Sequence, residues 1–127
     1  IQAVFYDDPN SENMIIRATI AAIKMRKALK EYNKERETNG LFTIENGIGI
    51  DTGFAITGTI GTIIGRKDFS VNGEVIAKAA NLEAKTKLTQ SKILLSKKSL
   101  EEINDILVYK DFDEEAVEII DVRKQTF

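Results

Sequence analysis

The sequence predicts an α+β domain, in which a mixed β-sheet carries helices on one face. Over the first third of the chain, apolar residues recur every three or four positions, as in an amphipathic helix. Later segments alternate apolar and polar residues, as half-buried strands do. The predicted order is β, long α, ββ hairpin, α, β, short α, ββ, which mixes parallel and antiparallel neighbours.

The first elements are a short strand over residues 3–6 and a turn over residues 7–10, where Pro and Asn favour chain reversal. Ser11 is the predicted N-cap of the long helix, because its hydroxyl can accept a hydrogen bond from a backbone N–H group. Asn39 and Gly40 predict the end of this helix. The predicted core face comprises Ile15, Ala18, Ala22, Met25, Leu29 and Tyr32.

The middle of the chain predicts a hairpin, with strands over residues 41–51 and 54–60 and a tight turn at Thr52-Gly53. Residues 61–68 predict a loop. A second helix follows over residues 73–85, capped by Asn72 or Ser70. Its predicted core face comprises Val75, Ile76, Ala79, Ala80 and Leu82.

The last third predicts a strand over residues 91–96 and a short helical turn that begins at Ser99. A final hairpin is predicted over residues 106–112 and 116–122, turning at Asp113-Glu114-Glu115.

The composition limits the chemistry. The 127 residues fit one domain, which we assign to residues 1–127, and the formal charge of −2 does not favour nucleic-acid binding. Without Cys or His, the chain has no thiol nucleophile, Cys/His zinc site or imidazole base. Any metal needs oxygen ligands, as Mg²⁺, Mn²⁺ and Ca²⁺ prefer. Because the chain begins at Ile1 inside an apolar run, we expect a domain truncated at its N-terminus.

Candidate binding residues are sparse. Gly58, Gly61 and Gly65 form neither a P-loop nor a dinucleotide-binding fingerprint, so they predict a flexible loop or a backbone that approaches a phosphate. Exposed turn acids are a better interpretation of residues 7–8 than a metal site, and Asp51 is predicted to cap its turn. A mildly positive stretch predicts a solvated face rather than an RNA site; it comprises Lys85, Lys87, Lys92, Lys97 and Lys98.

An ordered series of motifs resembles the catalytic domain of class III nucleotidyl (adenylate and guanylate) cyclases. Residues 48–53 read Ile-Gly-Ile-Asp-Thr-Gly, and residues 58–61 read Gly-Thr-Ile-Gly. Residues 66–73 read Arg-Lys-Asp-Phe-Ser-Val-Asn-Gly, and residues 75–83 read Val-Ile-Ala-Lys-Ala-Ala-Asn-Leu-Glu. The resemblance covers essentially the whole chain and implies a ferredoxin-like fold whose first elements are missing.

The resemblance also implies a mechanism and the places of the site residues. In the family, two aspartates hold two Mg²⁺ or Mn²⁺ ions that activate ATP, and a partner subunit supplies an Asn and an Arg. Both aspartates correspond to positions before Ile1, so no metal is predicted to bind this chain. Ala77 and Asn81 occupy the Asn and Arg positions. Ser70 matches a base-reading position, and Arg66 lies either near the triphosphate or against Asp68.

These matches imply a class III adenylate cyclase-like signalling domain that is impaired in catalysis and acts as a nucleotide-binding or regulatory dimer module. ATP is the expected nucleotide, and the partner is a second copy or another cyclase domain. Two alternatives stay open. One is an active adenylate cyclase whose partner chain supplies Asn and Arg, and the other is a structural dimerisation domain. We expect a cytoplasmic location and no membrane contact by this segment. The resemblance also allows a membrane-tethered parent protein, because family members are often tethered.

Overall fold

The computed structural model describes residues 1–61 and 67–123, and in these ranges the chain forms a four-stranded mixed sheet, a two-stranded sheet and two long helices. The elements are α1 (Met14–Thr38), β1 (Ile48–Ile50), β2 (Ile56–Gly61), β3 (Lys67–Asn72), α2 (Glu74–Lys85), a 3₁₀ turn (Thr86–Leu88), β4 (Ile93–Ser96), α3 (Lys97–Leu100), β5 (Leu107–Asp111) and β6 (Ala116–Val122).

Helix α1 begins two residues later than a Ser11 cap would allow. Its N-cap is Asn13, whose Oδ1 accepts a hydrogen bond from the Ile15 N–H at 2.8 Å. Ser11 instead donates its hydroxyl to Asp8 at 3.0 Å, so the predicted cap is wrong. The predicted stop is confirmed, because the helix ends at Thr38 and Gly40 takes a left-handed φ of 73°. Residues 3–6 form no strand.

Only the first half of α1 is buried. Ile15 and Ala22 lie in the core, but Met25 and Tyr32 are about half exposed, so the predicted core face is too long. The mismatch in length explains this, because a 25-residue helix spans about 37 Å whereas the three residues of β1 span about 10 Å. The second half of α1 therefore carries little of the core.

The main sheet has the strand order β1-β4-β6-β5. Strand β1 pairs in parallel with β4, and β6 pairs antiparallel with both β4 and β5, which confirms the predicted final hairpin. The predicted middle hairpin is wrong, since β2 pairs with β3 rather than returning along β1. Strand β1 finds its partner in β4 instead, a pairing that local sequence patterns do not indicate.

The two long helices lie on opposite faces of this sheet. Ile93 and Leu95 of β4 belong to the cluster that contains Ile15 of α1, whereas the intervening Leu94 packs with Leu82 of α2. Because successive strand side chains point to opposite faces, α1 and α2 cover different sides. The α+β class and the mixed sheet are confirmed, but the expectation of helices on one face does not hold for α2.

Helix α2 begins after Gly73, so the caps predicted at Asn72 and Ser70 lie too early in the chain. Leu82 is its one fully buried side chain, and Ala80, which the sequence predicts to be in the core, is exposed. The helix instead packs through its backbone. A Cβ placed on Gly49 of β1 would lie 2.2 Å from the Ala79 carbonyl oxygen, so the glycine permits direct contact between helix and strand.

The far end of α2 is tied to the last hairpin. Asp113 accepts hydrogen bonds from the backbone N–H groups of Glu115 and Ala116, and Lys85 donates to it at 3.1 Å. Burial alone would raise the pKa of Asp113, but these hydrogen bonds outweigh burial and hold the pKa below its ordinary value. The predicted turn at residues 113–115 is thus confirmed, and the ion pair between Lys85 and Asp113 joins it to α2.

Replacement of Gly49 by alanine should destabilise the domain by about 1–3 kcal/mol, since the new methyl group would collide with the backbone of α2. Gly58→Ala is the matched control, because a Cβ there meets nothing within 4 Å and should change the free energy of unfolding by less than about 0.5 kcal/mol. Urea titration of both variants measures the difference; equal unfolding midpoints would contradict the packing.

The lowered pKa of Asp113 predicts a pH dependence of stability. The carboxylate stabilises the fold above its unfolded-state pKa, near 4, and this contribution is lost as the pH falls through the lower folded-state pKa. Asp113→Asn should therefore cost about 0.5–1 kcal/mol at neutral pH, and the cost should shrink as the pH falls below about 4. Chemical denaturation across this range tests it, with the exposed Asp105→Asn as control. A loss that does not depend on pH would exclude the carboxylate as its source.

Candidate functional site

Strand β3 holds two of the residues that the sequence assigns to nucleotide binding. Ser70 lies opposite Gly58 and Asp68 lies opposite Ile60 in the β2–β3 ladder. Arg66 lies outside the described residues.

Ala77 and Asn81 lie on an exposed face of α2. They are four residues apart, so they are neighbours on one side of the helix, and the buried Leu82 points elsewhere. The Asn81 side chain makes no hydrogen bond to the described part of the chain. This face, which we call the α2 surface, presents a methyl group and a neutral amide at the two positions that the resemblance singles out.

One residue joins the strand of Ser70 to the α2 surface. A Cβ on Gly73 would lie 2.9 Å from the Phe54 carbonyl oxygen and 3.2 Å from the Ala55 Cα atom. The backbone that enters β2 therefore crosses directly over the start of α2. The hairpin and the helix share this joint, which places the candidate nucleotide-binding strand beside the α2 surface.

A second polar cluster lies at the carboxyl ends of the parallel strands β1 and β4. The Asp51 side chain is fully buried, and its Oδ1 accepts a hydrogen bond from the Ser96 hydroxyl at 2.6 Å. Lys98 Nζ lies 3.5 Å from the same oxygen. Asp51 therefore binds across to β4 and α3, rather than capping its own turn as the sequence predicts.

Hydroxyl groups extend this cluster into the loop after β1. Ser96 and Ser99 share a hydrogen bond of 2.6 Å, and Ser99 and Thr52 share one of 2.8 Å. Asp51 Oδ2 is buried without a hydrogen-bond partner among the described residues. Sequence reasoning missed this cluster, although the ends of adjacent parallel strands are a common place for polar sites once the β1–β4 pairing is known.

The described acidic residues do not gather into a cluster of three or more. Asp8 accepts hydrogen bonds from the Asn10 backbone and the Ser11 hydroxyl, which lower its pKa and close the turn before α1. Within residues 1–61 and 67–123, no three acidic side chains lie close enough together to hold an ion.

The positive stretch of the second half is largely paired with acids. Lys85 contacts Asp113, and Lys97 contacts Asp111 at 2.8 Å. Lys98 faces the buried Asp51. Such pairing supports a solvated face rather than a nucleic-acid site. Among the described helices, none has the length and apolar character required to cross a membrane.

Comparisons with known proteins agree with the motifs. No family model matches the chain. Over 100 residues, which are 76% of this chain, it is 37% identical to an adenylate cyclase of Anabaena cylindrica. The chain spans 19% of the length of that relative.

Two solved structures share the fold. The adenylyl cyclase CyaB from P. aeruginosa superposes with a TM-score of 0.76 at 22% identity, covering 96% of this chain and 68% of CyaB. The guanylyl cyclase Cya2 superposes with a TM-score of 0.75 at 25% identity, covering 94% of this chain and 64% of Cya2. The chain is therefore a domain of the class III nucleotidyl cyclase family.

Proposed function

We propose that this chain is an adenylate cyclase-like signalling domain that is impaired in catalysis and acts as a nucleotide-binding or regulatory module in a dimer. The observation that carries the proposal is the pair Ala77 and Asn81 on the exposed α2 surface. A cytoplasmic location, where ATP is available, is part of the proposal.

The impairment follows from side-chain chemistry. Ala77 has no polar atom that could orient a ribose. Asn81 is neutral and shorter than arginine, so it cannot offer the charged, two-pronged donor that binds a phosphate. The loss of one electrostatic group that acts on the transition state typically lowers a rate by about 10²–10³-fold. A homodimer would repeat both losses in each of its sites.

Nucleotide binding would fall to β3. Ser70 has a hydroxyl that can hydrogen-bond an adenine edge, and the ladder to Gly58 of β2 fixes its backbone position. We assign Asp68 and Arg66 to the same nucleotide site. The two-stranded ladder next to the start of α2 supports a binding role even where catalysis is weak.

Exposed apolar residues favour a partner subunit on this side. Phe54 is fully exposed and Ile56 is 78% exposed, and both lie next to the joint between β2 and α2. Apolar side chains of this size in water often mark a protein interface. The α2 surface beside them is also exposed. Together they support a dimer, either of two identical chains or with another cyclase domain.

The second candidate function is an active adenylate cyclase formed with an unlike partner. The same α2 surface favours it, because a partner chain that carries Asn and Arg would complete the site to which this chain contributes β3. The third candidate, a structural dimerisation domain, needs the exposed apolar residues but no nucleotide.

The double substitution Ala77→Asn/Asn81→Arg should raise cyclase turnover of the parent protein by at least about 10²-fold, because it restores a ribose contact and a phosphate contact. Cyclic AMP formation from ATP with Mn²⁺ measures the rate, and the unaltered homodimer should show almost none. Lys78→Arg/Ala84→Asn adds the same residue types to exposed positions on α2 and should have no effect. Clear turnover by the unaltered homodimer would refute the impairment.

Calorimetry with ATP and Mn²⁺ separates binding from a purely structural role. The parent protein should release heat on binding, and Ser70→Ala should weaken binding about 3–10-fold through the loss of one hydrogen bond. Thr57→Val, an exposed position on the adjoining strand, is the control and should bind as tightly as the original. An absence of heat would favour the structural dimerisation domain.

A further inference from the structure

A groove lies between the second half of α1 and the main sheet. Its volume is about 660 Å³, and it is lined on one side by α1 and on the other by the chain around β4 and the end of β6. Ile93 of β4 faces α1, whereas the neighbouring Leu94 faces α2. The groove is therefore on the opposite side of the sheet from the α2 surface and belongs to no part of the proposed nucleotide site.

Three lysines line the helical wall of this groove. Lys27, Lys30 and Lys34 follow one another at intervals of three and four residues, so their side chains form one stripe about 10 Å long. All three are exposed, and their ammonium groups have no ion pair or hydrogen bond within the described ranges. Their charge is thus available to a partner, in a chain whose overall charge is −2.

The other charged groups in the groove leave this stripe uncompensated. Arg26 is already engaged, because it donates to Asn46 Oδ1 at 2.6 Å and lies 3.7 Å from Glu45. Glu37 lies at the end of the groove, and no ion pair joins it to the three lysines within the described residues. The side chains that line the groove therefore carry more positive than negative charge.

Part of the groove is apolar. Ile23, Ile93 and Ile120 line it, and Ile120 is 47% exposed to solvent. Apolar side chains beside a row of positive charges complement a ligand that carries apolar and acidic groups side by side. An acidic amphipathic helix has this character, because residues at spacings of three and four share one face.

We propose that this groove, which we call the lysine groove, binds an acidic, partly apolar peptide segment of a partner protein. A peptide fits better than a nucleic acid, because single-stranded nucleic acids are bound by arginine forks on phosphates and by aromatic rings that stack on bases. The lining of the groove has no arginine besides the engaged Arg26 and no aromatic ring. Peptide binding in this groove does not depend on nucleotide binding, so a failure to bind ATP would leave this proposal unchanged.

Fluorescence anisotropy with a labelled peptide of about 14 residues tests the proposal; the peptide carries glutamates at spacings of three and four on one face and leucines on the other. Binding should weaken at least tenfold in the variant Lys27→Gln/Lys30→Gln/Lys34→Gln. The matched control Lys24→Gln/Lys78→Gln/Lys87→Gln removes the same charge from exposed lysines outside the groove and should bind like the original. Raising the salt from about 50 to about 200 mM should weaken binding to the original chain.

Two further arms make the result decisive. Lys30→Glu alone should weaken binding several-fold, which keeps the test valid if the triple variant does not fold. A peptide with glutamine in place of glutamate should bind at least tenfold more weakly. Equal binding by the triple variant, equal binding of the glutamine peptide, or equally tight binding of a thymidine oligonucleotide of the same length would overturn the proposal.

Discussion

The close approach of α2 to β1 is the contact on which the arrangement of the domain depends. Gly49 leaves no side chain between the strand and the carbonyl of Ala79, so helix backbone and strand backbone touch. On the same strand, Ile50 points to the α1 side and enters the larger core. A strand of three residues thus separates two helices, and its alternation of glycine and isoleucine gives each face a different kind of packing.

Much of this fold could be predicted from local patterns. Helix α1, helix α2 and the final hairpin follow from periodicity and turn residues that act within a few positions of one another. The partner of β1 could not be predicted in this way. The alternating residues of β2 satisfy a pairing with either β1 or β3, and the choice depends on β4, which lies more than 40 residues further along the chain than β1.

The candidate site also has parts that depend on local sequence and parts that depend on long-range strand pairing. Ala77 and Asn81 share a face of α2 because their spacing of four residues determines it, so local sequence alone predicts that they are neighbours. Asp51 and Lys98 come together only through the β1–β4 pairing, and sequence reasoning therefore assigned Asp51 to its own turn. Burial of the long helix was overestimated for a similar reason, because the extent of the sheet beneath Met25 and Tyr32 is a tertiary property.

The joint at Gly73 has a mechanical consequence. Because the backbone of Phe54 and Ala55 leaves no space for a side chain at Gly73, the entry to β2 and the start of α2 are packed directly against each other. A displacement of the start of the helix is therefore passed to the β2–β3 pair through this contact. If a nucleotide binds the strand pair and a subunit binds the helix, the two binding events are coupled, and such coupling acts equally in both directions.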